Sequence, residues 1–387
     1  MRNIADTIAR LSAMHAAGIG GHAGSGSGRL TDLAGFGSNP GALQARLYRP
    51  PSLAAGAALV VVLHGCTQTA AGYDIGAGWS EMADRHGFAL LFPEQQRSNN
   101  PNLCFNWFSP DDNRRGSGEA LSIRQMIAKV TADGGIDPAR VFVTGLSAGG
   151  AMATVMLATY PEVFAGGAIV AGLPYGCAGT IPQAFDRMRG HGVPGEADLA
   201  ALVRGATDHA GPWPTISVWH GTVDATVSPI NASSIVGQWR ALHQAGAEPD
   251  RRDEVDGYPH RVWCDATGRA VVEEYSITGM GHGTPLATTG KEGCGQGGAY
   301  MLEAGISSTR HICRFWGLTG DRSAMDDPTA EGTAGAGEIA LPSAPRGEDR
   351  QPTIHAEPLR PAASVTDAAG GVGAVIENAL RAAGLMR

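Results

Sequence analysis

Apolar residues in this chain gather into short dense runs set between glycine-rich turns. Ala57-Ala-Leu-Val-Val-Val-Leu63 is uninterrupted, which predicts a strand buried on both faces of a sheet. Arg140-Val-Phe-Val-Thr144, Thr215-Ile-Ser-Val-Trp219 and Val271-Val-Glu-Glu-Tyr-Ser-Ile277 are β-branched and aromatic runs that predict three more strands. The stretch from Ala148 to Tyr160 is rich in Ala, Met and Leu and predicts a helix that stops before Pro161. Buried strands, one of them running straight into a helix, imply an α/β chain, expected to have a mostly parallel central sheet with helices on both faces. The ends read differently. Ile4, Ile8, Leu11 and Met14 fall at helical spacing, and residues 18–28 form a Gly/Ser linker. Residues 319–387 hold no aromatic side chain, so residues 319–371 are expected to be a disordered Ala/Pro/Gly-rich tail. Val372, Val375, Ile376, Ala379, Leu380 and Ala383 make one stripe of an amphipathic helix over 372–387. The expected catalytic domain runs from 40 to 318.

Between the strand at Arg140–Thr144 and the helix at Ala148 stands Gly145-Leu-Ser147-Ala-Gly149, a G-x-S-x-G match. A serine on a tight strand-to-helix turn has its hydroxyl lifted to the top of a sheet, and its neighbours must be tiny. Gly145, Ala148, Gly149 and Gly150 meet that demand. A serine nucleophile of this kind needs an acid and then a histidine downstream. Asp224 follows the strand ending at Trp219, and His282 follows the strand ending at Ile277 on a Gly-flanked loop. His282 would take the proton of Ser147, and Asp224 would fix the imidazole tautomer and stabilise its charged form. Among the 12 histidines, His220 lies too near Asp224 in sequence to bond that carboxylate and also reach Ser147. His260, after Pro259 in a polar stretch, reads as a surface loop residue. Asp253, Asp256 and Asp265 share that charged stretch. The strand ending at Leu63 runs into His64-Gly-Cys66, a turn suited to an oxyanion hole, with the N–H groups of Cys66 and Ala148 as donors.

Taken in order, several blocks resemble the esterases of the polyhydroxybutyrate depolymerase type over residues 40 to 317. They are Leu63-His-Gly-Cys-Thr-Gln68, Cys104-Phe-Asn-Trp-Phe108, Arg115-Gly-Ser-Gly-Glu119 and the run from Ile136 to Met152. Tyr160-Pro-Glu-Val-Phe164, Ala171-Gly-Leu-Pro174, His220-Gly-Thr-Val-Asp224 and Gly279-Met-Gly-His282 continue the series. The resemblance implies an α/β-hydrolase fold and a serine esterase acting through an acyl-enzyme on short hydroxyacid polyesters, such as oligomers of 3-hydroxybutyrate, or on short-chain esters. Feruloyl and acetylxylan esterases are among the relatives it implies, so a carbohydrate esterase is the alternative. A polyester-granule or partner-binding protein with a relic site is the alternative of another class, and the intact residue set opposes it. Phe105 stands where the family commonly has tryptophan. Trp107 and Phe108 are candidates for lining the acyl pocket, against a role as core aromatics.

A net charge of −8, with both signs spread along the chain, argues against a nucleic-acid partner. No apolar run approaches the roughly 18 residues of a membrane span. The N-terminus lacks the apolar core of a Sec signal, so the expectation by sequence is a cytoplasmic protein or one exported by another route, whereas the family resemblance implies an extracellular enzyme. The final helix is expected to dock on its own domain or to contact a granule or partner. Six cysteines allow up to three disulfides. Cys66 and Cys104 both flank the site, and Cys264 and Cys294 bracket the strand and loop that carry His282. Those are the two expected pairings, against free buried thiols. No Cys/His spacing reads as a metal site, and no metal or cofactor is expected.

Overall fold

The computed structural model describes residues 29–320. The expected helix and linker of residues 1–28, the tail beyond residue 320 and the helix over 372–387 lie outside the described residues.

Six strands form the parallel centre of a ten-stranded sheet, in the order β4 (Ala89–Glu94), β3 (Ala57–Leu63), β5 (Ile136–Leu146), β6 (Gly166–Val170), β7 (Thr215–Gly221) and β10 (Ala270–Ile277). Antiparallel strands extend both edges. β1 (Thr31–Asp32) and β2 (Gln44–Tyr48) lie beyond β4, while β9 (Tyr258–Cys264) and β8 (Arg251–Val255) lie beyond β10.

All seven residues of β3 are buried. Leu59, Val61 and Leu63 pack into one apolar layer, and Ala58, Val60 and Val62 pack into the other. That is why the run shows no alternation: a strand covered on both faces has no polar side to display. One layer is closed by α3 (Gly118–Ala132), α4 (Ala148–Thr159), α6 (Glu196–Arg204) and α7 (Ile230–His243), through Ile123, Met126, Met152, Leu199 and Trp239. The other is closed by α1 (Ala70–Ala77), α2 (Trp79–His86) and α8 (Ser308–Phe315), through Tyr73, Trp79, Met82 and Ile312. α5 (Ile181–Met188) lies in the connection after β6. A small second sheet pairs β11 (Thr284–Leu286) with β12 (Met301–Glu303) just beyond His282. Among the described residues no helix is long and apolar enough to cross a membrane.

The polar stretch 251–264 is not a surface loop. It forms the edge hairpin β8–β9, and His260 is buried on it between Asp253 Oδ1 at 2.7 Å and Glu273 Oε2 at 3.2 Å. His260 also stacks on Tyr275 at 4.2 Å. Charged partners on neighbouring strands let polar residues occupy a buried strand face, which a reading by polarity alone misses.

Candidate active site

β5 ends at Leu146 and α4 begins at Ala148, so Ser147 alone makes the turn, at φ 57° and ψ −118°. A non-glycine residue held there stores about 1–3 kcal/mol of strain and needs surroundings that enforce it. The Ser147 amide donates to Val170 O at 2.9 Å, and its carbonyl accepts from Ala151 N at 2.9 Å. The glycines make the turn sterically feasible. A Cβ on Gly145 would lie 2.4 Å from Gly149 O, and one on Gly149 would lie 2.3 Å from Leu63 O and 2.5 Å from His64 O.

The loops after β7 and β10 meet backbone to backbone. A Cβ on Gly221 would lie 2.2 Å from Met280 O. Thr222 N donates to Ile277 O at 3.0 Å, and Val223 N donates to Met280 O at 3.1 Å. This contact brings Asp224 and His282 together although 58 residues separate them. Asp224 Oδ2 lies 2.7 Å from His282 Nδ1, and His282 Nε2 lies 2.9 Å from Ser147 Oγ. With Nδ1–H donating to the carboxylate, Nε2 is left to accept the serine proton. Asp224 Oδ1 accepts the N–H groups of Thr226 and Val227, both at 2.9 Å. Burial alone would push Asp224 up. Hydrogen bonds from His220 and His282, with the amide of Val227, outweigh it and hold the carboxyl well below the ordinary carboxylate range.

His220 approaches the carboxylate, at 3.4 Å from Asp224 Oδ2, but does not also reach Ser147. The bend after β7 folds the chain back so that His220 also donates to Val227 O at 2.8 Å, bracing the loop that carries the acid. The ring at Ser147 is that of His282.

The turn after β3 is pinned from several sides. Gly65 N donates to Gln68 Oε1 at 2.8 Å, and Thr67 N donates to Asn102 O at 2.7 Å. His64 donates from Nδ1 to Gly65 O at 2.8 Å and accepts Gln95 N on Nε2 at 3.1 Å. Burial lowers the proton affinity of His64, in keeping with this neutral tautomer. Among the described residues neither the Cys66 nor the Ala148 amide has a hydrogen-bond acceptor. Both are therefore free to donate to a ligand, the Ala148 amide from the N-terminus of α4.

Cys66 and Cys104 form a disulfide. The other expected pairing is absent: Cys264 and Cys294 are free thiols. Cys264 pairs across to Ala270, at the start of β10, whereas His282 follows the end of that strand. Cys294 N donates to Ala287 O at 3.2 Å, in the segment after β11 rather than beside β9. Cys294 is instead buried against Ser307 Oγ at 3.4 Å.

Trp107 is 8% exposed and belongs to the core layer, with half-buried Phe108 edge-on to it at 5.5 Å. Three residues that the sequence did not single out underlie this region. Gln95, Asn106 and the fully buried Glu119 form one hydrogen-bonded group beneath the turn. Burial, with Asp112 nearby, pushes Glu119 up to about 8 against the pull of its N–H donors. A cavity of about 430 Å³ bordered by Arg115, Glu162, Asp208 and His209 contains none of Ser147, Asp224 or His282. Among the described residues no cluster of His, Cys, Asp or Glu could hold a metal ion.

Residues 43–253 match the family model described as esterase PHB depolymerase. The chain is 49% identical over 293 residues to poly(3-hydroxyalkanoate) depolymerase C of Paucimonas lemoignei, an alignment covering 75% of this chain and 70% of that protein. It is 31% identical over 265 residues to feruloyl esterase B of Talaromyces funiculosus, covering 66% of this chain and 73% of that one. Among solved structures, the acetyl xylan esterase from Aspergillus awamori aligns with a TM-score of 0.64 at 24% identity, over 75% of this chain and 99% of that chain. That likeness places the fold. A family match over more than half of the sequence, together with a relative at 49% identity, places this chain in the esterase PHB depolymerase family, as a carboxylic ester hydrolase of the α/β-hydrolase type.

Proposed function

We propose that Ser147 is the nucleophile of this esterase, His282 its general base and Asp224 the partner that orients the base. The observation that carries the reading is the unbroken chain from Asp224 Oδ2 to His282 at 2.7 Å and from His282 to Ser147 Oγ at 2.9 Å. Ser147 Oγ attacks the ester carbonyl carbon as its proton passes to His282 Nε2. Asp224, held ionised, stabilises the imidazolium that results. The developing alkoxide is received by the amides of Cys66 and Ala148. His282 then returns the proton to the departing alcohol, leaving an acyl-serine. Water attacks that ester by the same route in reverse roles, releasing the acid and free Ser147.

The proposed substrates are short polyesters of 3-hydroxy acids. The support is a relative at 49% identity named for poly(3-hydroxyalkanoate), against 31% for a feruloyl esterase. The test compares kcat/KM across a hydroxybutyrate trimer, short nitrophenyl esters, methyl ferulate and acetylated xylan. The trimer is expected to exceed ferulate and xylan acetate by tenfold or more, as about 1.4 kcal/mol of differential transition-state binding. The reverse order would transfer the enzyme to the carbohydrate esterases while leaving the serine chemistry intact. Catalysis is assigned to residues 40–318, so removal of residues 322–387 is expected to leave hydrolysis of soluble esters within a few-fold of the full chain. A hundredfold loss in that truncation would make the C-terminal segment part of the catalytic unit.

The disulfide supplies a further expectation. Cys66–Cys104 fastens the proposed oxyanion turn to the Trp107 segment. Reduction and alkylation are expected to lower kcat about tenfold before the domain unfolds, since small displacements of a donor weaken transition-state binding. Unchanged kcat in protein whose Cys66 and Cys104 are both found alkylated by mass spectrometry would refute it.

A further inference from the structure

Glu119 is fully buried and makes no ion pair among the described residues. Its carboxyl instead accepts three N–H groups: Gln95 Nε2 at 2.6 Å, Asn106 N at 2.8 Å and Asn106 Nδ2 at 2.8 Å. Burying a carboxyl without a cation is costly, and a fold tolerates it only where hydrogen bonds replace water. The partners show where this one acts.

Two arms leave Glu119 and both end on the turn that carries Cys66. Along the first, the Gln95 side chain also donates to Cys104 O at 3.1 Å, and its backbone N–H donates to His64 Nε2 at 3.1 Å. Along the second, Asn106 Oδ1 accepts Asn100 Nδ2 at 3.0 Å, Asn100 Oδ1 accepts Asn102 N at 3.0 Å, and Asn102 O accepts Thr67 N at 2.7 Å. His64 and Thr67 flank Gly65-Cys66, and the Cys66–Cys104 bond ties the turn to the segment that Gln95 holds. The Cys66 amide is thus fixed from both sides and from below by one hydrogen-bonded frame centred on Glu119.

We propose that Glu119 is a positioning residue for ester hydrolysis, setting the aim of the Cys66 N–H at the developing oxyanion through Gln95 and Asn106. The inference rests on the reading of Ser147 as nucleophile and Cys66 as oxyanion donor. Glu119 does not touch the reacting atoms. Its effect belongs to the transition state, because the donor it aims is engaged most strongly when charge appears on the carbonyl oxygen.

Glu119→Gln keeps size and shape but sets an NH2 group among three donors, so at least one loses its acceptor. In enzyme counted by active-site titration, kcat on nitrophenyl acetate is expected to fall about 10- to 100-fold with KM within threefold. The affinity of a trifluoromethyl ketone, which forms a tetrahedral adduct with an oxyanion, is expected to weaken by the same factor. Asn100→Ala, which cuts the second arm without disturbing the buried carboxyl, serves as the second variant. It is expected to show a smaller loss of the same kind, in kcat and ketone affinity rather than in KM. Wild-type kcat and ketone affinity in either variant would overturn the proposal. So would a loss confined to the fraction of titratable enzyme, which is the mark of a purely structural role. An active Ser147→Ala would instead sink the nucleophile reading itself, so the two failures are distinguishable.

Discussion

Replacing Ser147 by alanine is expected to abolish ester turnover, lowering kcat by about 10⁴- to 10⁶-fold while leaving the fold intact. The substitution removes one oxygen from a half-buried position and adds no bulk at the turn. The backbone bonds of Ser147 to Val170 O and Ala151 N do not involve its hydroxyl. His282→Ala is expected to give a loss of similar size, because a hydroxyl without its base is a poor nucleophile. Combining the two should add little, since each alone already disables the unit. Asp224→Asn is expected to cost about 10⁴ in kcat by favouring the wrong imidazole tautomer. An asparagine NH2 at Oδ2 would face His282 Nδ1–H, whereas at Oδ1 it would face the amides of Thr226 and Val227. Steady-state kinetics on a nitrophenyl ester, with circular dichroism for the fold, checks all three. A Ser147→Ala variant with turnover near wild type would remove the assignment.

The second large effect is expected at Gly149. Its added Cβ would strike Leu63 O at 2.3 Å and His64 O at 2.5 Å, and backbone oxygens cannot rotate away as a flexible side chain could. Either α4 or the end of β3 must move. Gly149→Ala is therefore expected to destabilise by about 3 kcal/mol and to lower Tm by roughly 6–12 °C. Turnover should fall more than tenfold, because the displaced segments carry the Ser147 and Cys66 loops. Gly281→Ala is the control. A Cβ there meets nothing within 4 Å, and its effect on Tm is expected to be small although it neighbours His282. Equal melting temperatures for Gly149→Ala and wild type would show that the turn is looser than its contacts imply.

Much of this was legible in the sequence for one physical reason: the central strands are buried on both faces. Ala57–Leu63 appears in the structure with the bounds read from its apolar run. Thr215–Trp219 and Val271–Ile277 fall within β7 and β10. The placement of Ser147, Asp224 and His282 was legible too, because each follows the carboxyl end of a parallel strand, where α/β sheets gather their reactive groups. The edge of the sheet was not. Strand β8 is charged and exposed along most of its length, and on β9 the buried positions combine Val262 and Trp263 with His260, which is held by carboxylates on the two flanking strands. The Cys264–Cys294 pairing is absent because bracketing a strand and loop in sequence does not bring two thiols together in space: Cys264 ends β9, while Cys294 is buried against Ser307. Glu119 went unrecognised as a support because a charged residue in the first turn of a helix reads as solvent-facing. Only the packing reveals that Gln95 and Asn106 close over it.

The most direct test of the nucleophile is covalent. The full-length protein is treated with a fluorophosphonate, residual esterase activity is followed against the extent of labelling, and the adduct is mapped by tandem mass spectrometry. The expected result is one adduct, on Ser147, rising in step with the loss of turnover and absent from Ser147→Ala. An adduct on another serine that tracks inactivation, or full turnover in protein labelled at Ser147, would contradict the account.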